Sequence, residues 1–146
     1  MTQEQFELIE LDKKEEMLET LPVLNFLYPE LTVESYSEML NDMVPLGIYK
    51  QLVVKQNDAF VGVCGFWICT KVWSGKYLEL DNFVVHKDFR SKGVGDLIVN
   101  YLREKAVAED CLMLALDSYT DNFPAHKFFM NNGFAPRGFH FIQKLK

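Results

Sequence analysis

The sequence predicts an α/β fold, a mixed and mostly antiparallel sheet with helices on both faces and a central parallel βαβ pair. Apolar residues alternate or run continuously in strand-length segments, and between these segments they recur three and four residues apart. The resulting order is strand, two helices, three strands, helix, strand, helix, strand. The strand ending at Val85, the next helix and the strand at 111–116 form a βαβ unit, whose strands run parallel.

Length and composition fit a single domain spanning 1–146, because 49% of the residues are hydrophobic and a chain this long buries its own core. No apolar run approaches the roughly 20 residues of a membrane span, and the polar start does not have the pattern of a signal peptide. The three cysteines are odd in number, which favours reduced thiols. We therefore expect a cytoplasmic protein without a membrane partner.

Charge is distributed unevenly along the chain. The net charge of −6 argues against a nucleic-acid partner. Residues 1–42 contain 11 acidic and 2 basic side chains, whereas residues 43–146 contain 10 acidic and 13 basic ones. The acidic part is either an ordinary solvated surface or a rim that attracts a cationic acceptor. The three histidines are dispersed, and no cluster has metal-ligand spacing, so we expect no metal.

Two helices are predicted in the first third of the chain. Asp12 is expected to cap a helix over 13–25, and Pro22 is expected to break or kink it. Thr32 is expected to cap the second helix, with Ser35 in the place of the glutamate of a capping box.

The predicted strands cover 5–11, 48–55, 59–70, 77–85, 111–116 and 134–145. Gly62 and Gly65 lie inside the third strand and predict a bulge or a close backbone approach. The strand at 111–116 is apolar throughout, so we expect both of its faces to be buried. A short helix at 125–131, with Pro124 in its first turn, precedes the last strand or hairpin edge.

A glycine-bearing turn joins the strand ending at Val85 to the longest helix. It consists of Arg90, Ser91, Lys92, Gly93, Val94 and Gly95. Backbone N–H groups at a helix start lack intrahelical partners and the helix dipole is positive there, so an anion fits. Glycines let the backbone approach that anion without a Cβ in the way. The turn predicts a phosphate site; the alternative is a surface turn whose glycines only end the strand.

Two common phosphate motifs do not fit this turn. A Walker A loop ends in Gly-Lys-Ser/Thr, and Ser91-Lys92-Gly93 has a different order. A dinucleotide fingerprint has a third glycine where Ile98 stands. The remaining pattern, Arg-x-x-Gly-x-Gly after two valines, resembles the acetyl-CoA pyrophosphate loop of the GNAT superfamily of N-acetyltransferases. The element order is similar to that fold over essentially the whole chain, and residues 125–134 resemble its closing Ala-x-x-Phe-Tyr…Gly-Phe signature.

The resemblance implies an enzyme that transfers the acetyl group of acetyl-CoA, as co-substrate, to a primary amine of a small molecule or protein. In such enzymes the pantetheine arm pairs with the strand before the turn, here Phe83, Val84 and Val85. A strand N–H stabilises the developing oxyanion. Asn122 and Phe129 are expected along the pantetheine path. Family members often dimerise, so a homodimer is compatible with the resemblance.

Direct attack needs a neutral amine, and an alkyl amine with a pKa of about 10.4 is protonated at neutral pH. A carboxylate within reach takes that proton. Glu79, Asp81 and Phe83 share one strand face by period-two alternation. Glu79 stands where some family members have a catalytic glutamate, so it is the first candidate base and Asp81 the second. The alternative is that both are ordinary exposed strand carboxylates.

The acid step differs from the family pattern. Phe129 occupies the place of a tyrosine that often protonates the departing thiolate, and phenylalanine has no proton to donate. Tyr119 or Ser118 is the expected substitute. The rival function, which Phe129 keeps open, is a catalytically silent acyl-CoA-binding sensor or regulatory domain. The acceptor pocket is expected between the first two helices and loops such as 71–76.

Overall fold

The computed structural model describes residues 5–146, and the first four residues lie outside the described part. The chain divides into two compact units, one reaching to Ala115 and one covering Leu116–Lys146. The strands are β1 (Glu7–Leu11), β2 (Tyr49–Gln56), β3 (Ala59–Lys71), β4 (Gly75–Val85) and β5 (Met113–Leu116). The helices are α1 (Lys14–Leu18), α2 (Leu21–Leu24), α3 (Val33–Met43), α4 (Val94–Ala108) and α5 (Phe123–Asn131).

The sheet confirms the predicted α/β class. Its strands lie in the order β1-β2-β3-β4-β5, in which the first three pairings are antiparallel and β4 runs parallel to β5. Both faces of β2 are covered by helices. Val53 packs in the core cluster formed with α1, α2 and α3, whereas Val54 lies beside Gly62, which approaches Val94 and Ile98 of α4. Alternate residues of one strand therefore contact opposite helical layers.

The first predicted helix is two short helices. Lys13, not Asp12, is the N-cap residue of α1, and its side chain makes no capping hydrogen bond. Pro22 does not kink a helix late; it lies in the first turn of α2, where a missing N–H costs no intrahelical bond. The break falls before it at Thr20, which is fully buried and donates its hydroxyl to Met17 O at 2.7 Å.

The helix α3 begins as the sequence predicts. Thr32 Oγ1 accepts a hydrogen bond from Ser35 N at 3.1 Å, and Ser35 Oγ accepts one from Thr32 N at 3.1 Å. The reciprocal pair is a capping box with serine in the glutamate's place. The capping box positions the N-terminus of the helix that covers the buried polar residues described below.

Two predictions for the C-terminal part are wrong. The strand β5 is half-buried and not buried on both faces. No strand forms within residues 134–145, where Phe139 and Phe141 are 81% and 90% exposed. Their alternation has the period of a strand, but a strand also requires a hydrogen-bonded neighbour, which residues 134–145 do not have.

A polar cluster fastens α4 to the first strand. Lys105 Nζ donates to both carboxylate oxygens of Glu10, at 2.9 and 3.1 Å, and the Tyr101 hydroxyl also donates to Glu10. Burial alone would raise the pKa of Glu10, but these hydrogen bonds and the Lys105 charge outweigh it and lower the pKa below 4.5. Tyr101 stays protonated, since burial and the Glu10 carboxylate raise the pKa of the Tyr101 phenol to about 12.

We expect Glu10→Gln to destabilise the protein by about 1–2 kcal/mol at pH 7, because the donors Tyr101 and Lys105 lose a charged acceptor and one of its two oxygens becomes an NH2 donor. The folded-state pKa lies below the unfolded one, so this stabilisation is present above the unfolded value and is lost as pH falls through the folded value. Urea unfolding at pH 7 and pH 3 measures it, with Glu7→Gln at an exposed position of β1 as control. An equal loss at both pH values would contradict the assignment.

Candidate active site

A β-bulge interrupts the pairing of β3 with β4. Val63 pairs with Val84 and Gly65 pairs with Asp81, so one residue of β3 lies opposite two residues of β4. Asn82, one of these two, has a φ of 52°, in the left-handed region that asparagine adopts more readily than most residues. The bulge expected near the glycines of β3 is therefore confirmed.

The extra residue changes which face the rest of β4 presents. Val84 packs in the same core cluster as Val63, beneath α1, α2 and α3. Asp81 faces that side too, because it accepts a hydrogen bond from Trp67, which packs on the same cluster. The expectation that Phe83 continues the face of Glu79 and Asp81 is wrong, since the bulge shifts the alternation by one residue.

Asp81 holds the bulge. Its Oδ2 accepts a hydrogen bond from Trp67 Nε1 at 3.0 Å, and its Oδ1 accepts one from the backbone N–H of Asn82 at 2.9 Å. Both carboxylate oxygens thus have donors within the protein. Glu79 lies two residues earlier on the strand, half-buried and in register with Trp67. The two predicted carboxylates are therefore on one face but in different surroundings.

Gly65 leaves the space that the bulge uses. A Cβ at this position would lie 2.5 Å from Tyr49 Oη and 2.7 Å from Asn82 Oδ1. The hydrogen bond between these two side chains, 3.1 Å from Tyr49 Oη to Asn82 Oδ1, passes directly over the glycine. The close approach at this glycine is made by side chains and not by another backbone segment.

A chain of hydrogen bonds runs from the interior to the surface beside the bulge. Gln51, which is fully buried, donates through Nε2 to Tyr36 Oη at 2.7 Å and to Tyr49 Oη at 3.0 Å. Tyr49 donates to Asn82 Oδ1, and Asn82 Nδ2 donates to Tyr28 Oη at 3.0 Å. The Gln51 amide therefore orients the phenols of Tyr36 and Tyr49. The Asn82 amide in turn orients the phenol of Tyr28, which is 39% exposed.

The phenols of Tyr36 and Tyr49 keep their protons. Burial raises the pKa of Tyr36 above its usual range, and hydrogen bonds with Thr20 and Gln51 offset only part of that effect. Burial also raises the pKa of Tyr49 far above its usual range. Sequence reasoning did not find these residues. The available signal was Asn82, a poor strand former in the middle of a strand, which a local bulge would have explained.

A cavity of about 640 Å³ opens between the helices and the bulge. Its walls come from α2, the loop after it and α3, and its floor includes Tyr49 and Asn82. The expectation of a pocket at the first helices agrees with this position. The turn between β3 and β4, which was also expected, contributes none of the lining residues in the described chain.

The glycine-bearing turn has the geometry of an anion cradle. Ser91 and Gly93 have φ of 66° and 80°, and Gly93 is the N-cap residue of the 15-residue helix α4. The first helical bond runs from Leu97 N to Gly93 O at 3.1 Å, so the N–H groups of Val94 and Gly95 precede the intrahelical ladder.

Two cations flank this turn, and a pyrophosphate group fits such a site. Arg90 is exposed and donates through Nε to Val85 O at 3.3 Å, and Lys92 Nζ lies 5.2 Å from the centre of the Phe89 ring. No atom would lie within 4 Å of a Cβ at Gly93, so a ligand has open access there. Open backbone, positive dipole and cations together suit a diphosphate.

The remaining predicted residues lie in the second unit. Asn122 is the N-cap residue of α5, and its Oδ1 accepts a hydrogen bond from Ala125 N at 3.3 Å. Tyr119 is 80% exposed, and its carbonyl accepts a hydrogen bond from Asn122 N at 3.1 Å. Phe129 stacks edge-on with Phe128 and Phe134. Within residues 5–146 there is no group of three metal-ligating side chains and no helix long and apolar enough to cross a bilayer.

Known proteins resemble the chain in sequence and in fold. Residues 15–134 match the model of the acetyltransferase (GNAT) family. The uncharacterized N-acetyltransferase YhdJ of Bacillus subtilis (strain 168) is 28% identical over 120 residues, which are 82% of this chain and 84% of that protein.

Two solved structures share the fold at low identity. The ribosomal-protein-alanine N-acetyltransferase of Brucella melitensis biovar Abortus 2308 is 18% identical, with a TM-score of 0.81 over 97% of this chain and all of that one. An aminoglycoside N-acetyltransferase in complex with CoA is 14% identical, with a TM-score of 0.80 over 97% of this chain and 96% of that one. The family match and the shared fold confirm the resemblance seen in the sequence.

Proposed function

The chain belongs to the GNAT family of acetyltransferases, and from this premise we propose that it transfers an acetyl group from acetyl-CoA to a primary amine. One observation carries the proposal. In the turn before α4, Ser91 and Gly93 have left-handed backbone conformations and the cations Arg90 and Lys92 lie beside them. The turn leads directly into the N-terminus of α4, a helix of 15 residues. That combination suits the pyrophosphate of a CoA thioester.

Residues from Arg90 to Gly95 would hold the pyrophosphate of acetyl-CoA, which supplies an activated acetyl group when bound. The backbone of Phe83, Val84 and Val85 would pair with the pantetheine arm. Contacts of Asn122 and Phe129 with the pantetheine arm, which the resemblance implies, stay predictions. The resemblance implies that a backbone N–H of β4 donates to the acetyl carbonyl as charge develops on its oxygen.

Glu79 is the proposed general base. An acceptor amine with a pKa of about 10.4 must lose a proton before its nitrogen bonds to the acetyl carbon and the carbon–sulfur bond breaks. Asp81 is the weaker candidate, because Trp67 and the Asn82 backbone already donate to both of its oxygens. The thiolate then takes a proton from Tyr119, Ser118 or water. A cytoplasmic location, a homodimer and a cationic acceptor remain predictions.

A second candidate function rests on Phe129. This ring packs on Phe128 and Phe134 and offers no proton to a leaving thiolate, which would suit a silent acyl-CoA-binding sensor. Transfer is favoured over sensing because the cavity is lined by Asn82 of β4, the strand that carries Glu79. Release of free thiol from acetyl-CoA in the presence of an amine panel separates the two, since a sensor binds acetyl-CoA without releasing thiol.

Acetyl-CoA binding is tested at Gly95. A valine there should abolish most of the thermal stabilisation by acetyl-CoA, because its side chain stands where the diphosphate approaches. Gly95 has no positive φ, so the variant avoids the backbone strain that Gly93→Val would introduce at a φ of 80°. Ala108→Val, at the exposed far end of α4, is the matched control and should keep the full shift. Equal acetyl-CoA-induced thermal shifts in Gly95→Val and Ala108→Val would contradict the assignment of this turn as the diphosphate site.

The base is tested by comparing Glu79→Gln with Asp81→Asn. Glu79→Gln should lower turnover at neutral pH by about 10²–10⁴-fold and leave the acetyl-CoA-induced thermal shift unchanged. Asp81→Asn should lower the melting temperature of the free protein, since one oxygen that holds the bulge becomes a donor. Turnover that survives Glu79→Gln and is lost in a folded Asp81→Asn variant would exchange the two roles.

The acid is tested by single-turnover thiol release. If Tyr119 or Ser118 protonates the thiolate, Tyr119→Phe or Ser118→Ala should slow release, and Phe129→Tyr should change it little. If no side chain donates, Phe129→Tyr should accelerate release by placing a hydroxyl in the position that the family resemblance implies. Rates that are equal in all three variants would exclude a side-chain acid at these positions.

A further inference from the structure

We propose that the acceptor is a small primary monoamine with an apolar alkyl or aryl body, bound in the cavity between α2, α3 and the bulge of β4. This inference rests on the proposed acetyl transfer and adds the class of substrate. The amine would lie at the Asn82 end, beside β4, and the apolar body would extend between the helices.

The walls of the cavity are apolar. The lining includes three leucines and two methionines, whose apolar side chains can pack against an alkyl or aryl group: Leu24, Leu27, Leu31, Met39 and Met43. Leu27 is 40% and Met39 is 50% exposed, so large apolar side chains stand in water around this cavity. An apolar ligand would remove that surface from water, which is the main source of binding free energy for such a site. The volume of about 640 Å³ also lies in the range of small-molecule pockets, roughly 300–1,000 Å³.

At the bulge, the lining includes the hydrogen-bonded side chains of Tyr49 and Asn82. Asn82 Oδ1 accepts the Tyr49 proton and has a second lone pair, which can accept an amine N–H. Because burial raises the pKa of Tyr49, its phenol stays protonated and is a neutral dipole at this end of the cavity. Asn82 is also the neighbour of Asp81 and lies three residues from Glu79 on β4. An amine held here is therefore on the strand that carries the proposed base.

The charge of the lining limits the acceptor to one ammonium group. Glu30 is the one charged residue among the lining residues of the described chain, and it lies exposed at the loop after α2. A single ammonium group entering the cavity can stay hydrated or pair with the Glu30 carboxylate. Polyamines and amino sugars with several ammonium groups would have to place charges against leucine and methionine, where each loses hydration without a partner. A phosphorylated amino sugar is disfavoured as well, because neither lysine nor arginine lines the cavity.

A series of straight-chain amines tests the proposal. With acetyl-CoA saturating, kcat/KM for propylamine, butylamine, pentylamine and hexylamine should rise about threefold to fourfold with each methylene, the fold-change of about 0.8 kcal/mol per buried CH₂. Phenethylamine should exceed ethanolamine by more than tenfold, and spermidine should be a poor substrate. The monoamine assignment would be overturned, with acetyl transfer still standing, if kcat/KM stayed flat or fell with chain length. A preference for spermidine, for an aminoglycoside or for a peptide with an N-terminal leucine would overturn it as well.

Variants on α3 connect the series to the cavity. Met39→Gln should weaken the rise of kcat/KM with chain length, through a higher KM for hexylamine. Met39→Leu, which keeps an apolar side chain, should show the same rise as the unchanged protein. Val33→Gln is the matched control, since Val33 lies on the same helix, is 54% exposed and does not line the cavity. An unchanged slope in a folded Met39→Gln variant would overturn the location. No thiol release with any amine, together with no thermal shift by acetyl-CoA, would instead remove the proposed function and the inference with it.

Discussion

The hydrogen bond between Tyr49 and Asn82 is the interaction on which this part of the molecule depends. It holds an asparagine at a φ of 52° in the middle of a strand, and it occupies the space that Gly65 leaves open. Asp81 also holds this bulge, because its carboxylate accepts the Asn82 backbone N–H. With this bulge in place, Val84 faces the same side of the sheet as Asp81, in the core cluster beneath α1, α2 and α3.

The buried polar chain explains how an apolar cavity can have a polar floor without an unsatisfied group. Among the described residues, no buried side-chain nitrogen or oxygen atom lacks a hydrogen-bond partner. Gln51 is the centre of this arrangement, because its two N–H donors orient Tyr36 and Tyr49. Tyr36 in turn donates to Met17 O at 3.0 Å, at the break between α1 and α2. The packing of the first helices and the orientation of the floor are therefore linked through one side chain.

The sequence predicted those features that depend on local chemistry. The capping box at Thr32 and Ser35 and the turn before α4 both follow from residues close together in the chain. Features that depend on distant partners were missed. The alternation at Phe139 and Phe141 was assigned to a strand, although no neighbouring strand pairs with it. Gln51 and Tyr49 looked like ordinary strand residues, and their role depends on Asn82, more than 30 residues away.

The absence of a side chain at Gly65 has a consequence for how this protein can diverge. A Cβ at that position and the phenol oxygen of Tyr49 would occupy the same space, so neither a larger residue at 65 nor a loss of the Tyr49 hydroxyl is a neutral single step. Removing the hydroxyl leaves Asn82 without its donor, and enlarging the glycine displaces it. Sequence drift at these positions should therefore proceed by coordinated replacement, with Gly65, Tyr49 and Asn82 changing as a set.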